Sequence, residues 1–318
     1  MKALFFDGQV RIEKNVSIPE RKPSEVLIRI LKAGICQTDL EIIKGYLNFH
    51  GILGHEFVGI VEESQDHDLL GARVVGEINL SCGKCIYCQK GLRTHCEARS
   101  VLGIKDKNGC FAEYLTLPRE NIHVMPDSIT DEEAIFVEPL AAALQILSQV
   151  HIQPQHKVII IGDGRLGQLC AQVINLTGAH VLTIGKHLEK LKNLKKIGIE
   201  TCNSSEASQE KADIVIECTG SPSGLKTALT LVHPQGTIVL KSTYDVKPQV
   251  DLAPIVINEI TIIGSRCGPF PSAIRLLKNK VINVLPLISK KFPLDKAIEA
   301  IAAASQKENF KVILDIAN

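Results

Sequence analysis

The chain has 318 residues, of which 45% are hydrophobic and 22% are charged, and its formal net charge is +1 at pH 7. This length and composition are typical of a globular protein with two domains. The balanced charge disfavours binding to nucleic acid or to a membrane surface, and no apolar run approaches the roughly 18 residues of a membrane span.

The chain begins with MKALFFDGQVRIEK, whose apolar run is too short for a secretory signal. We therefore expect a cytoplasmic protein in which the cysteines are thiols or metal ligands rather than disulfides. The first 130 residues are predicted to form short strands separated by turns, for example residues 25–34, 55–63, 72–78 and 110–117.

Helical spacing of apolar residues begins at Thr130 and continues to residue 150. Thr130 is the predicted N-cap, and the acidic residues that follow it suit the first turn of a helix. Pro139 lies inside this pattern, and we expect it to break or kink the helix near Glu138.

Six short apolar strands then alternate with helical patterns. The predicted strands cover residues 157–161, 180–184, 199–202, 213–218, 236–240 and 260–263. This alternation predicts a parallel sheet with helices on both faces, and six strands fit a doubly wound, dinucleotide-binding domain of the Rossmann type. The last 50 residues return to a mixed pattern, with a helix at 295–306 and a strand at 309–316.

One loop holds four of the ten cysteines, with the spacing C-x2-C-x2-C-x7-C. These cysteines are Cys82, Cys85, Cys88 and Cys96. Four thiolates bind zinc tetrahedrally and leave no open position, which indicates a structural metal. An iron–sulfur cluster is one alternative, although its common run has a shorter last gap followed by proline, and free thiols are the other.

A glycine turn follows the first strand of the alternating region, in KVIIIGDGRLGQL. Gly162 permits the tight turn, Gly164 lets a pyrophosphate approach the backbone, and Gly167 lets helix and strand pack closely. Arg165 and Leu166 lie inside this turn, where the helix N-terminus faces the phosphates. The turn therefore predicts dinucleotide binding. The alternative is a doubly wound domain that no longer binds a dinucleotide.

The end of the second predicted strand indicates which dinucleotide is bound. An NAD site has an acidic residue there that accepts hydrogen bonds from the adenosine ribose, but this chain has Gly185. A glycine leaves room for a 2′-phosphate, and Lys186, His187 and Arg165 supply positive charge, so we expect a preference for NADP(H). The alternative is that Lys186 and His187 are solvated residues and that NAD binds. Under the first hypothesis, Gly185→Asp would shift the preference toward NAD.

A second metal site could be built from residues outside the cysteine loop. The candidates are Cys36, the adjacent pair His55 and Glu56, and Glu138 near the expected helix break. Each also has a simpler interpretation, as a small buried residue, a hydrogen-bonded histidine or a solvated acid. Their spacing alone does not decide between the two interpretations.

Several motifs together resemble one family along the whole chain. They are GICQTDLEI, GHEFVGIVEE, the cysteine loop, VEPLAAAL, GDGRLGQL and VIECTGSPSG, in this order. The chain resembles the zinc-dependent medium-chain dehydrogenase/reductase family of alcohol, sorbitol and threonine dehydrogenases. The resemblance implies an α/β protein with two domains. A GroES-like, β-barrel-type catalytic domain would comprise residues 1–145 and 268–318, and a Rossmann domain residues 146–267.

The resemblance also implies a catalytic zinc bound by Cys36 and His55. Glu138 would be the third ligand, directly or through water, with Glu56 as the alternative. Thr38 would take the substrate hydroxyl proton into a relay. Many relatives end this relay with a histidine at the place of Glu41, so the path of the proton to solvent differs here.

Positioning contacts are implied as well. Asp39 would hydrogen-bond His55 and fix its tautomer, as carboxylates behind metal-bound histidines do. Lys311 would pair with Glu56. Thr219 and Gly220 would lie close to the nicotinamide, and so would Ser265 and Arg266.

The implied activity is a hydride transfer between an alcohol or polyol and a nicotinamide cofactor. Two zinc ions per chain are expected, one catalytic and one structural. The alternatives are a catalytically silent binding or regulatory protein on the same scaffold, and a zinc-independent enzyme like the quinone reductases. A homodimer or homotetramer is expected, joined through the edge strand at 259–264. The short segment 45–53 indicates an open pocket for the alcohol or carbonyl substrate.

Overall fold

The computed structural model of the protein describes residues 1–206, 210–243 and 249–317. The chain divides into two compact units. The first comprises Met1–Glu138 and Ala273–Asn318, and the second comprises Pro139–Ser272. Among the described residues, none of the helices has the length and apolarity needed to cross a membrane.

Strands and helices occur in both units. In chain order, the strands are β1 (Ala3–Phe6), β2 (Val10–Glu13), β3 (Glu25–Gly34), β4 (Gly51–Ile52), β5 (Glu56–Glu63), β6 (Arg73–Gly76), β7 (Asn79–Leu80), β8 (Ser100–Val101), β9 (Tyr114–Pro118), β10 (Ile122–Val124), β11 (Lys157–Ile161), β12 (His180–Gly185), β13 (Glu200–Asn203), β14 (Ala212–Glu217), β15 (Val232–Leu240), β16 (Thr261–Gly264), β17 (Ile288–Pro293) and β18 (Lys311–Asp315). The helices are α1 (Gln37–Ile43), α2 (Ile86–Gln89), α3 (Asp131–Ala134), α4 (Val137–Gln149), α5 (Arg165–Asn175), α6 (Leu188–Lys196), α7 (Gly224–Leu231), α8 (Ala253–Ile257), α9 (Phe270–Lys278) and α10 (Ala297–Ala304). Single turns of 3₁₀ helix occur at Tyr46–Asn48, His67–Leu69, Arg93–His95, Arg119–Asn121, Leu285–Leu287 and Leu294–Lys296.

A mixed sheet organises the first unit. Its strand order is β10-β6-β5-β3-β18-β17, and β9 also pairs with β3. Strand β3 pairs antiparallel with β5, β9 and β18, whereas β17 and β18 run parallel. Smaller sheets have the orders β2-β1-β4 and β7-β8. Fully buried side chains fill the core of this unit, including Leu4, Ile28, Phe111, Leu117 and Val312.

A parallel sheet organises the second unit. Its order is β13-β12-β11-β14-β15-β16, and every neighbouring pair is parallel. This order reverses between β11 and β14, which confirms the predicted doubly wound fold. Buried side chains such as Ile159, Val215, Ala228 and Ile238 form its core.

The predicted strands differ from the observed ones mainly in the first unit. Strand β11 has the predicted bounds, but the segment predicted as a strand from residue 110 becomes β9 only at Tyr114. The preceding residues pair elsewhere: the Phe111 N–H donates to the Leu53 carbonyl at 2.9 Å, and the Phe111 carbonyl accepts from the Leu4 N–H at 2.7 Å. The segment from residue 110 to 117 thus pairs with two different sets of neighbours, first with Leu4 and Leu53 and then with β3.

The helix predicted from Thr130 is two helices. Thr130 caps α3, since its hydroxyl accepts from the Glu133 N–H and the Glu133 carboxylate accepts from the Thr130 N–H. The break lies at residues 135–136 rather than near Glu138. Pro139 falls in the first turn of α4, where a missing N–H removes no intrahelical hydrogen bond. The proline therefore helps to begin the second helix instead of interrupting it.

Close packing at the glycine turn predicts a stability difference between two alanine substitutions. A Cβ at Gly167 would lie 2.1 Å from the Gly162 carbonyl oxygen, whereas one at Gly164 would meet open space. Gly167→Ala should lower the free energy of unfolding by about 2–3 kcal/mol, because backbone must shift, and Gly164→Ala should change it by less than about 1 kcal/mol. Chemical denaturation of both variants measures the difference. Equal midpoints would contradict the close approach of helix α5 to the turn.

Candidate active site

Three potential metal ligands meet in the first unit. Cys36 is the N-cap of α1, His55 precedes β5, and Glu56 begins that strand. The antiparallel pairing of Gly34 with Glu56 brings the two chain segments together. The Cys36 Sγ, a His55 ring nitrogen and a Glu56 carboxylate oxygen all lie within 4.8 Å of one another. His55 and Glu56 are buried, and Cys36 is partly exposed.

Asp39 connects the cysteine segment to the histidine. Its Oδ2 accepts from the Cys36 N–H at 2.8 Å, and its Oδ1 lies 3.2 Å from His55 Nδ1. The contact does not meet the geometry of a hydrogen bond, so both buried atoms lack a hydrogen-bond partner. With Nδ1 beside Asp39, the Nε2 of His55 is the ring nitrogen left for a metal. Burial lowers the pKa of His55, but Asp39 and Cys36 outweigh burial and leave that pKa well above its usual value.

The residues of the expected proton path lie on α1. The Thr38 Oγ1 is 3.8 Å from the Cys36 Sγ. Glu41 accepts from Gln37 Nε2 and from Lys44 Nζ, both at 2.9 Å. Partial burial raises the pKa of Glu41, but these two hydrogen bonds outweigh it and leave the pKa below its usual value. Glu41 is therefore a carboxylate at neutral pH.

Lys311 pairs with Glu56, as predicted. The Lys311 Nζ donates to the Glu56 Oε2 in a pair that is almost completely buried, and it lies 5.7 Å from the centre of the Phe136 ring. The other carboxylate oxygen, Oε1, is buried without a hydrogen-bond partner. That oxygen is the one available to a metal.

Glu138 is placed differently from the other predicted ligands. It lies in the first turn of α4, and it belongs to neither of the ligand clusters that the described residues form. The structure therefore brings the ligand atoms of Cys36, His55 and Glu56 within 4.8 Å of one another, and Glu138 is not part of that group.

The donor set of the first cluster fits a zinc ion with an open position. A thiolate, an imidazole nitrogen and a carboxylate oxygen are the ligands that catalytic zinc takes, and three protein ligands leave the fourth position for substrate. The unpartnered Glu56 Oε1 is consistent with this, because a buried carboxylate oxygen without a partner is costly unless a cation satisfies it.

The second cluster consists of the four cysteines predicted from their spacing. Their Sγ atoms lie within 4.8 Å of one another, and those of Cys85 and Cys88 are 3.5 Å apart. A tetrahedron of sulfurs at about 2.3 Å from zinc has edges of about 3.8 Å, so the arrangement fits this metal. The Cys88 N–H lowers the pKa of Cys85 to about 6, whereas burial and the hydrogen bond with Cys85 raise the pKa of Cys88 to about 11.

The glycine turn lies at the carboxyl edge of the parallel sheet. Gly162 has φ 122°, and a Cβ there would be 2.7 Å from the Cys218 carbonyl oxygen. Gly164 is the N-cap of α5. A Cβ at this position would have no atom within 4 Å, so there is open space at the helix N-terminus. Arg165 and Leu166 are partly exposed in the first turn of this helix. These features are those of a pyrophosphate site.

Gly185 ends β12 beside this turn, and Lys186 and His187 follow it. Gly185 has no space for a side chain of its own, because a neighbouring acid occupies it. The Asp163 carboxylate fills that space, with Oδ2 at 2.6 Å from where a Cβ of residue 185 would lie. The prediction missed Asp163 because the motif fixes only the glycines, although an acid inside the turn was a visible signal.

The residues predicted near the nicotinamide also lie at the carboxyl edge. Thr219 and Gly220 follow β14, with the Thr219 N–H donating to Glu217 at 2.7 Å. Ser265 follows β16, and its hydroxyl accepts from Lys241 Nζ at 3.1 Å. Arg266 is exposed, and its Nη1 lies 3.2 Å from the Cys267 Sγ.

Comparison with known families identifies the class of protein. Residues 22–127 match the alcohol dehydrogenase GroES-like domain, and residues 166–290 match the zinc-binding dehydrogenase family. The chain belongs to the zinc-dependent medium-chain dehydrogenase/reductase family. It is therefore an NAD(P)-dependent dehydrogenase of the alcohol and polyol type, which acts on CH–OH groups.

Individual relatives are similar along their whole length. An erythritol/L-threitol dehydrogenase of Mycolicibacterium smegmatis is 30% identical, with 99% of this chain and 97% of the relative covered. A D-arabitol-phosphate dehydrogenase of Enterococcus avium is 31% identical, with 95% and 92% covered. A zinc-binding dehydrogenase of Sinorhizobium meliloti, solved with NADP, superposes with a TM-score of 0.90 at 29% identity over 99% of both chains. These relatives favour neither a silent binding protein nor a zinc-independent reductase.

Proposed function

We propose that the protein oxidises a small polyol or polyol phosphate, or reduces the corresponding carbonyl compound, with NADP(H) as the preferred cofactor. The dependence on zinc is supported by one observation above all: the ligand atoms of Cys36, His55 and Glu56 lie within 4.8 Å of one another. The substrate class is supported by relatives named for erythritol, arabitol phosphate and sorbitol. In this proposal the catalytic domain comprises residues 1–145 and 268–318, and the nucleotide-binding domain comprises residues 146–267.

Cys36 and His55 hold the catalytic zinc in this proposal. Glu138 is the third ligand by family resemblance, and Glu56 is the alternative supported by its free Oε1. When bound, the zinc supplies a Lewis acid that favours ionisation of an alcohol, and the nicotinamide accepts the hydride. Thr38 takes the hydroxyl proton, and Asp39 orients His55.

The four cysteines of the loop hold a second, structural zinc. The ligands are Cys82, Cys85, Cys88 and Cys96, which brings the proposed content to two zinc ions per chain. The ten cysteines all lie in the described part of the chain, and none of them forms a disulfide. This state supports a cytoplasmic location, because the cytosol keeps thiols reduced.

The cofactor occupies the carboxyl edge of the parallel sheet. Its pyrophosphate lies at the glycine turn and its adenosine beside Gly185, while its nicotinamide lies toward the ends of β14 and β16. The residues assigned to these contacts are Gly162, Gly164, Arg165, Leu166, Gly167, Gly185, Lys186, His187, Thr219, Gly220, Ser265 and Arg266. The preference for NADP(H) is supported by the absence of an acid at Gly185 and by the basic residues that follow it.

The protein forms a two-fold homodimer or a homotetramer built from such dimers. Strand β16 is the edge of its sheet, and Ile262 on it is exposed. The preceding helix α8 exposes Val256 and Ile257 at 76% and 77%. An apolar edge strand beside an exposed apolar helix favours pairing with a second copy.

Measurements of zinc content and turnover test which residues bind the catalytic zinc and which bind the structural zinc. Cys36→Ala should lose one zinc per chain and all turnover of polyols, while keeping its fold. Cys85→Ala should lose the other zinc and reduce stability, because the loop then has three ligands. Cys202→Ala, at a thiol in neither cluster, is the matched control. Full turnover in the Cys36 variant would show that the catalytic zinc is assigned to the wrong residues.

Glu138→Gln should lower zinc affinity if Glu138, and not Glu56, is the third ligand.

The cofactor preference is measured as the ratio of kcat/KM for NADP to that for NAD with one polyol substrate. The ratio should exceed about tenfold, which corresponds to roughly 1.4 kcal/mol of transition-state binding. A tenfold preference for NAD would overturn the proposal.

Light scattering at micromolar concentration tests the assembly. The wild-type mass should be two or four times the chain mass, and Ile262→Asp should yield monomers by placing charge on the paired edge. Leu176→Asp, at an exposed apolar residue after α5, should leave the mass unchanged. A monomeric wild type would rule out the proposed dimer.

A further inference from the structure

The adenosine end of the cofactor site contains a carboxylate from an unexpected element. Asp163, inside the glycine turn, is buried at 7% exposure. Its Cβ and Oδ2 lie 2.5 and 2.6 Å from where a Cβ of Gly185 would lie. The carboxylate thus occupies the space that an acidic side chain on β12 would otherwise need.

The hydrogen bonds of this carboxylate are all made to the turn that follows β12. Its Oδ2 accepts from the Lys186 N–H at 2.7 Å and from the His187 N–H at 2.6 Å. Both oxygens lie 3.1 Å from the His187 Nδ1. The His187 side chain makes no capping hydrogen bond at α6, and Asp163 satisfies two backbone N–H groups directly before the helix, those of Lys186 and His187.

These contacts change what the carboxylate can do for a cofactor. The acid of an NAD site accepts hydrogen bonds from the adenosine ribose hydroxyls. In this chain, two N–H groups and an imidazole take three of the roughly four acceptor positions of the Asp163 carboxylate, which leaves at most one for a ribose hydroxyl. The same contacts fix the backbone of Lys186 and the ring of His187.

We propose that Asp163 is the positioning residue for cofactor discrimination: it excludes a ribose-binding acid from position 185 and holds Lys186 and His187 where the adenosine 2′-phosphate is received. This inference rests on the proposed preference for NADP(H). It makes positions 163 and 185 interdependent, since only one of them can carry the acid.

This dependence changes the expected effect of Gly185→Asp. Alone, the substitution drives the new Cβ into Asp163 and adds a second carboxylate beside the first. It weakens the binding of both dinucleotides and does not produce an NAD site. With Asp163→Ala, the space opens, and the aspartate at 185 can accept the ribose hydroxyls.

Calorimetry with two cofactor fragments tests the inference without turnover. Adenosine 2′,5′-bisphosphate and 5′-AMP differ only in the 2′-phosphate, so the ratio of their affinities reports the site directly. The wild type should favour the bisphosphate. Asp163→Ala should reduce that ratio by about tenfold or more, as expected when a charge-assisted hydrogen-bond network is lost. The double variant Asp163→Ala/Gly185→Asp should favour 5′-AMP.

Two controls separate positioning from folding. Asp163→Asn should keep the preference, because its amide oxygen can still accept from the Lys186 and His187 N–H groups. Asp213→Ala removes a carboxylate that accepts from the Lys157 N–H at 2.8 Å at the start of β11, and it should leave the ratio unchanged. If Asp163→Ala does not fold, Asp163→Ser replaces it, since a hydroxyl is too short to span the turn.

The outcomes distinguish this inference from the proposal on which it rests. A wild type that favours 5′-AMP would overturn the NADP(H) preference itself. If the wild type favours the bisphosphate, the role of Asp163 is refuted by an unchanged ratio in Asp163→Ala and Asp163→Ser. It is equally refuted if Gly185→Asp alone reverses the preference.

Discussion

The catalytic unit depends on one buried ion pair, between Glu56 and Lys311. Both side chains are almost completely buried, and a buried charge costs several kcal/mol unless its partner is in place. The partners are 255 residues apart in the chain, on strands β5 and β18 that both pair with β3. Gly34 on β3 leaves room for the pair, since a Cβ there would lie 2.6 Å from the Glu56 Oε2. The pair therefore links β5 to β18, the last strand of the chain, and losing one partner would cost about 3–5 kcal/mol.

The same pair determines which oxygen of Glu56 is left without a hydrogen bond. Lys311 takes the Oε2, and the Oε1 has no hydrogen-bond partner, while a carboxylate oxygen of Glu56 lies within 4.8 Å of the Cys36 and His55 ligand atoms. Because Glu56 is adjacent to His55 in the chain, any shift of the pair also moves the histidine. The ion pair and the metal cluster are thus one assembly. The pairing of Gly34 with Glu56 and the contacts of Asp39 complete this assembly, and they hold the cysteine at the N-cap of α1 and the histidine before β5 within ligand distance.

The sequence predicted the nucleotide-binding unit more completely than the catalytic one. The alternation of short apolar strands with helices predicted the parallel, doubly wound sheet, whereas the order β13-β12-β11-β14-β15-β16 is known only from the structure. The antiparallel sheet depends on distant pairings, such as Phe111 with Leu4 and Leu53, which leave no local periodicity. The clustering of the four loop cysteines, predicted from their spacing, and the Glu56–Lys311 contact, implied by the family resemblance, are both present in the structure. The break at residues 135–136 was not, since a proline can either end a helix or begin one.

Asp163 shows why a sequence motif can locate a cofactor site without describing its chemistry. The motif fixes glycines at three positions and treats the residue between the first two as variable. In the folded sheet, Ile161 pairs with Ile184, and the Gly162 N–H donates to the Ile184 carbonyl at 2.8 Å. The residues that follow in register are Gly162 and Gly185. The backbone turns at Gly162 (φ 122°), and the Asp163 carboxylate then fills the space where a side chain of residue 185 would lie. The parallel register and the turn at Gly162 together bring the two positions into contact, so the residue at 185 has to be considered together with the residue at 163. If Asp163 has the role proposed above, cofactor choice in this chain depends on both turns and not on the second strand alone.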